Sequence, residues 1–278
     1  MSIISDISGG FPLQNGVTLP YLGLGVYLSE NGGEVEQAIA WALEAGYRNI
    51  DTASFYGNES GVGQAVRESA LPREAIFVTS KVWNADQGYA STLDAFERSM
   101  EELGLEVLDL YLVHWPVRGK FRDTWRAMEE LYKKGRVRAI GVSNFLKHHL
   151  EALEETSRIR PMVNQMEFHP YLVQQELLEY CQACQIQYQA WSPLMQGRIK
   201  DQPELLEMAG HYGKTPAQLV LRWDLQKGVA TIPKSSRQSR ILENADLFDF
   251  EISPADMQRI DALDRGHRFG PDPDTFDF

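Results

Sequence analysis

Apolar residues recur along the chain with two alternating periods. Short runs such as "AIFVTSKV", "VLDLYLVHW" and "IQYQAWSPL" are dense in β-branched, aromatic and aliphatic side chains and predict strands. Between such runs the apolar positions return every three or four residues. "GGEVEQAIAWALEAGY" sets Val35, Ile39, Ala42 and Leu43 on one helical face and stops at Gly46. "YASTLDAFERSMEELG" does the same with Leu93, Phe96, Met100 and Leu103, and stops at Gly104. Near the start, "FPLQNGVTLPYLG" carries Asn15-Gly16 between two apolar stretches, which predicts a β-hairpin. Eight strands follow it: "YLGLGVY", "RNIDT", "AIFVTSKV", "VLDLYLVHW", "VRAIGVSNF", "PMVNQMEFHP", "IQYQAWSPL" and "VATIPKS", each feeding a helical segment. Two helical patterns, "PELLEMAGHYG" and "TPAQLVLRWDLQKG", come after the seventh strand, and further ones fall near 238–244 and 254–263.

Strand and helix in alternation imply a parallel sheet with helices outside it. Eight such units in a chain of this length imply a closed (β/α)₈ TIM barrel, here with an N-terminal β-hairpin and two extra helices. An open doubly wound sheet would carry G-x-G-x-x-G at a strand-to-helix turn. "GLGVYL" lacks the third glycine and "GVGQAV" follows no strand. No segment rich in Pro, Gly or Ser divides the chain, so residues 1–278 are expected to form one domain.

Composition narrows the ligands. Twenty-seven basic against thirty-nine acidic residues give a net charge of −12, a poor match for nucleic acid. An anionic ligand must therefore find a local basic island. Cys181 and Cys184 lie in "CQAC" inside an amphipathic helix pattern, with no second pair to complete a zinc site, and are read as reduced thiols. The histidines show no ligand spacing, and "KHHL" reads as helix residues, so no metal is expected. "MSIISDISGG" has no basic segment before an apolar core, and no apolar run approaches spanning length. The expectation is a cytoplasmic monomer, with no membrane and no nucleic-acid partner.

In a (β/α)₈ barrel the chemistry sits on the loops after the strands' C-terminal ends. Asp51 and Tyr56 follow the second strand in "IDTASFYGN", Lys81 ends the third in "FVTSKVW", and His114 ends the fourth in "LYLVHWP". Taken singly, such an aspartate caps a helix, such a tyrosine packs and such a histidine is structural. Together at neighbouring mouths they make a proton donor. A phenol has a pKa of about 10 and needs help to act near neutrality. Lys81 is expected to lower that of Tyr56, Asp51 to keep Lys81 charged, and a neutral His114 to orient a carbonyl oxygen. The basic island is "IPKSSRQSR", with Lys234, Arg237 and Arg240 after the eighth strand, where Ser235 and Ser236 are expected to cap the next helix and its amides to attract an anion.

"GYRNIDTASFYGNESGVG", "FVTSKVWN", "LDLYLVHWP", "AIGVSNF", "VNQMEFHP", "AWSPL" and "IPKS" together resemble the aldo-keto reductase family over nearly the whole chain. The resemblance implies a tetrad of Asp51, Tyr56, Lys81 and His114, with Tyr56 as proton donor and NADPH as cofactor. Members that reduce steroid double bonds carry glutamate in place of the histidine, so His114 favours carbonyl reduction. Lys234, Ser235, Ser236 and Arg240 are implied to hold the adenosine 2′-phosphate, and Glu243 and Asn244 to lie near the adenine. Ser143, Asn144 and Gln165 would bind the carboxamide, and Trp191 would stack on the nicotinamide. Ser192, Leu194 and Gln196 would follow the pyrophosphate, and Gly25, Val26 and Tyr27 complete the implied cofactor site.

The implied substrate is a small carbonyl compound. Tyr27, Trp83, His114, Trp115 and Met195 are expected to line its pocket, and the short tail "RGHRFGPDPDTFDF" is expected to leave the mouth open. "KVWNADQGY", "ENADLFDF" and "GPDPD" resemble the bacterial branch with glyoxal and methylglyoxal reductases and 2,5-diketo-gluconate reductases. The first activity is favoured and the keto-sugar is the alternative. A more distant one is an NADPH-binding regulatory subunit, against which the intact tetrad argues.

Overall fold

The computed structural model describes residues 4–278; residues 1–3, the start of the segment read as lacking a signal peptide, lie outside it. The hairpin forms as β1 (Gly10–Pro12) and β2 (Thr18–Pro20), paired antiparallel with Pro12 opposite Thr18. Its turn is wider than the two-residue kind. The Leu13 amide donates to the Val17 carbonyl at 2.8 Å, and the Gly16 amide to the Leu13 carbonyl at 2.9 Å. Gly16 takes φ +85°, which costs a glycine nothing. Gln14 donates to the carbonyls of Arg160 and Pro161, just before one barrel strand, and Asn15 to that of Arg138, near the start of another, so the hairpin closes the floor and leaves the other end free.

The barrel strands are β3 (Gly23–Gly25), β4 (Asn49–Asp51), β5 (Phe77–Val82), β6 (Leu108–Val113), β7 (Val137–Ser143), β8 (Val163–Glu167), β9 (Gln187–Trp191) and β10 (Ala230–Thr231). Each pairs in parallel with its sequence neighbour. The ring closes where Leu22 pairs with Thr231 and Gly25 with Lys234, through the Thr231 amide to the Tyr21 carbonyl at 3.0 Å and the Gly25 amide to the Pro233 carbonyl at 3.2 Å. This is the (β/α)₈ barrel that the alternation predicts.

The outer helices are α1 (Glu34–Glu44), α2 (Glu59–Glu68), α3 (Tyr89–Leu103), α4 (Phe121–Lys133), α5 (Lys147–Glu154), α6 (Gln175–Ala183), α8 (Pro216–Gln226) and α9 (Gln238–Ala245). The two extra ones are α7 (Pro203–His211), between β9 and α8, and α10 (Pro254–Asp261). Strand residues alternate between barrel interior and helical layer. Ser80 points outward and donates to the buried carboxylate of Glu59 on α2 at 2.5 Å, and Ser99 on α3 donates to the same carboxylate at 3.1 Å. Its neighbour Lys81 therefore points inward. Cys181 is buried in α6, and burial pushes its thiol up to about 12, so both cysteines are free and this one is unreactive.

Helix α2 crosses the C-terminal end of α3 so closely that a Cβ on Gly63 would run into the carbonyl group of Leu103, 2.6 Å from its carbon. Helix propensity alone favours Gly63→Ala by about 1 kcal/mol. The packing argument predicts the reverse, a loss of about 1–3 kcal/mol as the two backbones separate. Urea denaturation decides between them: a midpoint equal to or above that of the parent chain would overturn the packing argument.

Candidate active site

The site forms where inward-facing side chains meet at the C-terminal ends of β4 to β9. Lys81 is fully buried, and its ammonium uses all three protons. It donates to Asp51 Oδ1 at 2.6 Å, to the Thr52 carbonyl at 2.8 Å and to the Tyr56 hydroxyl at 3.3 Å. Tyr56 reaches the lysine from a short 3₁₀ turn (Ser54–Tyr56) that ends at Gly57 with φ +65°. Because Lys81 donates to the phenolic oxygen, the phenol's own proton is left to point elsewhere. The ring of His114 lies edge-on to that of Tyr56 at 5.8 Å and to Trp83 at 5.1 Å. The sequence thus names four residues that the fold brings together.

The electrostatics depart from the sequence reading at Tyr56. Burial lifts its hydroxyl above the usual phenol value, and Lys81 opposes that without reversing it. Tyr56 is accordingly a protonated phenol at neutral pH, with a cation in place to receive the phenolate. Burial penalises the Lys81 ammonium, but Asp51 and Tyr56 outweigh the penalty and hold the lysine above its ordinary range. Burial also raises Asp51, against the pull of Lys81 and Gln165. Burial, assisted by the charge of Lys81, pushes His114 well below the usual imidazole range, so it is neutral, as expected. Among the described residues its Nδ1 has no hydrogen-bond partner.

Gln165, expected at the carboxamide, is engaged within the protein. Its amide nitrogen donates to Asp51 Oδ2 at 2.6 Å and to Gln189 Oε1 at 2.9 Å, so it fixes the oxygen that Lys81 leaves free. Ser143 donates to the Gln165 carbonyl at 2.9 Å. Asn144 donates to the His114 carbonyl at 3.0 Å and to Ser143 Oγ at 3.1 Å, and accepts from Trp191 Nε1 at 2.9 Å. Val26 and Gly25 contribute backbone: the Val26 amide donates to the Asp51 carbonyl at 3.1 Å. Ser192, Met195 and Gln196 hold φ values of +54°, +53° and +53°, a strained passage after β9. Leu194 is half-buried there, and Gln196 leans toward the Phe269 carbonyl.

At the basic island, one expectation fails. Neither serine caps α9; its N-cap is Arg237, and Ser235 Oγ instead accepts from the Arg237 amide at 3.1 Å, shaping the turn before the helix. The first-turn amides of α9 are left without a side-chain cap. Lys234, Arg237 and Arg240 are exposed, and among the described residues none of them sits in an ion pair within 4.0 Å. Ser236 also meets Glu34 of α1, whose carboxyl the Glu30 amide, then Ser236 and Lys234, draw below its usual range. Glu243 accepts from Thr215 at 2.7 Å, and Asn244 is buried.

The tail covers part of the mouth. From Phe269, beside the end of β8, it crosses to Trp115 and Trp83, turning at Asp272, whose carbonyl accepts from the Thr275 amide at 3.1 Å and the Phe276 amide at 3.0 Å. Asp274 meets Nε2 of His148 at 2.9 Å and of His149 at 3.5 Å. The Leu146 amide donates to His149 Nδ1 at 3.2 Å, which places the proton of the neutral ring on Nε2, facing the carboxylate. These three residues therefore act as a tail anchor. Phe276 lies 5.0 Å from Trp115, and Phe278 stacks on Trp83 at 5.7 Å. Trp115 is consequently buried beneath the tail, and Met195 is fully buried, so neither lines the pocket as expected. Tyr27 does stand at the mouth, half exposed and 4.9 Å from Tyr56, and Phe55 stacks on Trp83 at 3.8 Å. Beside the tetrad, across Trp83, lies a cavity of about 770 Å³ whose lining includes Asn84, Arg118, Lys120, Phe121, Phe276 and Phe278.

A model of the Aldo/keto reductase family matches residues 22–265. The chain is 57% identical over 266 residues to the glyoxal reductase of Bacillus subtilis (strain 168), covering 96% of each chain. It is 45% identical over 268 residues to the methylglyoxal reductase DkgA of Escherichia coli (strain K12), covering 95% of this chain and 96% of that one. Among solved structures it resembles an aspartate-to-alanine mutant of Gox0644 in complex with NADPH, with a TM-score of 0.92 and 42% identity, over 96% of this chain and 98% of that one.

The neutral His114 has a consequence for stability. Its pKa is depressed in the folded state, so it adds stability above the unfolded value of about 6.5 that is lost as pH falls below that value. His114→Gln removes the group. The stability gap between parent and variant is expected to shift against the parent by up to about 1.4 kcal/mol per pH unit on acidification from pH 6.5. Parallel urea curves for both chains from pH 7 to pH 5 would contradict a neutral buried His114.

Proposed function

Because this chain belongs to the aldo/keto reductase family, we propose that it is one barrel domain that reduces small reactive aldehydes and ketones, glyoxal and methylglyoxal among them, to alcohols with NADPH. The observation that carries this reading is the Lys81 ammonium held between Asp51 and Tyr56. A substrate carbonyl oxygen placed between Tyr56 and His114 gains negative charge as the carbon is reduced. Tyr56 gives it a proton, and Lys81, kept charged by Asp51, stabilises the phenolate left behind. His114, neutral, orients the oxygen with a hydrogen bond. NADPH supplies the hydride when bound.

The chain's own residues fit that cofactor. Lys234 and Arg240, with Ser235 and Ser236, supply cations and hydroxyls at the uncapped start of α9 for the 2′-phosphate, and Glu243 and Asn244 flank the adenine side. Ser192, Leu194 and Gln196 follow the pyrophosphate, while Gly25, Val26 and Tyr27 border the cofactor from β3. Trp191 supports the nicotinamide, with Ser143, Asn144 and Gln165 around its carboxamide. Action as a monomer is part of the proposal. Among the described residues no helix is long and apolar enough to cross a membrane, and a cytoplasmic location is part of the same proposal.

A second reading has its own observation. Arg118 and Lys120 border the cavity beside Trp83, and among the described residues neither is engaged in an ion pair within 4.0 Å. Two free cations there suit a carboxylate-bearing keto-sugar such as 2,5-diketo-gluconate. The aromatic walls Trp83, Phe276 and Phe278 favour the small dicarbonyls, because a polyhydroxylated substrate needs several placed partners to offset its desolvation.

Tyr56→Phe is expected to lower kcat for methylglyoxal about 10²–10⁴-fold while NADPH still binds. Activity within a few-fold of the parent would sink the assignment of Tyr56. Arg240→Ala is expected to weaken NADPH by about 1.5–3 kcal/mol and NADH far less, measured by fluorescence titration. Equal losses for the two cofactors would show that Arg240 does not read the 2′-phosphate.

A further inference from the structure

We infer that Glu167 is a positioning residue that clamps the tail, at Phe269 and Gly270, against the edge of Trp191 and so fixes the plane of that indole. The inference rests on the reading of Trp191 as the support for the nicotinamide ring. Glu167 ends β8 and Trp191 ends β9, and the two are register partners at the barrel mouth. The Glu167 side chain is fully buried. Among the described residues no lysine or arginine pairs with it, and its near cationic candidate is His169, whose Nε2 lies 3.1 Å away. A carboxylate withdrawn from water in this way needs strong donors. Two come from the tail backbone: the Phe269 amide donates to Oε1 at 2.7 Å, and the Gly270 amide lies 3.2 Å from each oxygen.

What the clamp holds down is specific. A Cβ on Gly270 would strike Cη2 of Trp191, would lie 3.1 Å from Cζ3, and would stand 3.3 Å from Glu167 Oε2. The tail backbone therefore touches the outer edge of the indole at a distance that only glycine allows. The opposite edge is held by the bond from Nε1 to Asn144. Two fixed edges determine the plane of a flat ring, and Trp191 remains partly exposed between them. Asn144 also bonds the carbonyl of His114, so the same run of contacts ends beside the tetrad. A purely structural anchor for the tail would need Glu167 but would not need Gly270 pressed on Trp191.

The test compares two ligands on the full chain by fluorescence titration. NADPH engages Trp191; adenosine 2′,5′-bisphosphate carries the phosphate-bearing adenosine end and has no nicotinamide. Glu167→Gln turns one oxygen into a donor that faces the tail amides, and Gly270→Ala pushes the indole directly while keeping every hydrogen bond. Each is expected to weaken NADPH about tenfold, with adenosine 2′,5′-bisphosphate bound as by the parent chain. In a Trp191→Ala background, Gly270→Ala is expected to add no further loss. If Glu167→Gln does not fold, Gly270→Ala decides alone. Equal weakening of both ligands, or an unchanged ratio of their Kd values, overturns the positioning role. A parent chain that does not bind NADPH overturns the proposed function, and this inference with it.

Discussion

The buried pair of Asp51 and Lys81 is the constraint around which the mouth of the barrel is arranged. Two opposite charges taken out of water lose several kcal/mol of hydration apiece, and their attraction offsets that only with good geometry and satisfied neighbours. Both conditions are met. The ammonium has three acceptors, and the second carboxylate oxygen has Gln165. Since Gln165 is tied to Gln189 and Ser143 to Gln165, β4, β5, β7, β8 and β9 are joined through one polar layer. Loss of Asp51 or Lys81 would strand a buried charge, at a cost of about 3–5 kcal/mol. In the proposed reaction, the cation that would stabilise the Tyr56 phenolate is in position before any substrate arrives.

Much of this was legible in the sequence, and for physical reasons. Once strands alternate with helices, the residue that ends each strand is committed to the mouth. Asp51, Lys81 and His114 could thus be placed together from spacing and chemistry alone. Tyr56 needed only a short turn to reach them. What was not legible depended on contacts between distant segments. Nothing local in "VNQME" says that Gln165 will reach Asp51, more than a hundred residues earlier. Nothing in "WSPLM" says that Met195 turns inward, because its positive φ is set by packing around the loop. The tail misled through its length: it is short, but its aromatic end packs on Trp115 and Trp83, contacts that no local pattern announces. At α9 the serines were the right residue types for a cap and fell one and two residues too early.

The tail changes what the mouth presents to a substrate. Its phenylalanines add apolar wall to Trp83, while Arg118 and Lys120 from the loop before α4 add charge beyond it. On the proposed function, selectivity between neutral dicarbonyls and acidic sugars is therefore a contest between two sides of one neighbourhood.

The seam of the barrel carries a different lesson. Seven strand pairs join neighbours in sequence, while the eighth joins residues near 22 and 231. Closing a loop of that length in place of one of some thirty residues adds only about 1.7 kcal/mol of chain entropy, because the cost grows as a logarithm. Equilibrium stability scarcely registers it, but the rate of assembly does, since contacts this remote in sequence form slowly. The two strands at the seam are also short, three residues and two, and two bridges pair them. When the barrel opens by thermal motion, few bonds hold this place, and amide exchange should be faster along it than along the long pairing of β6 with β7.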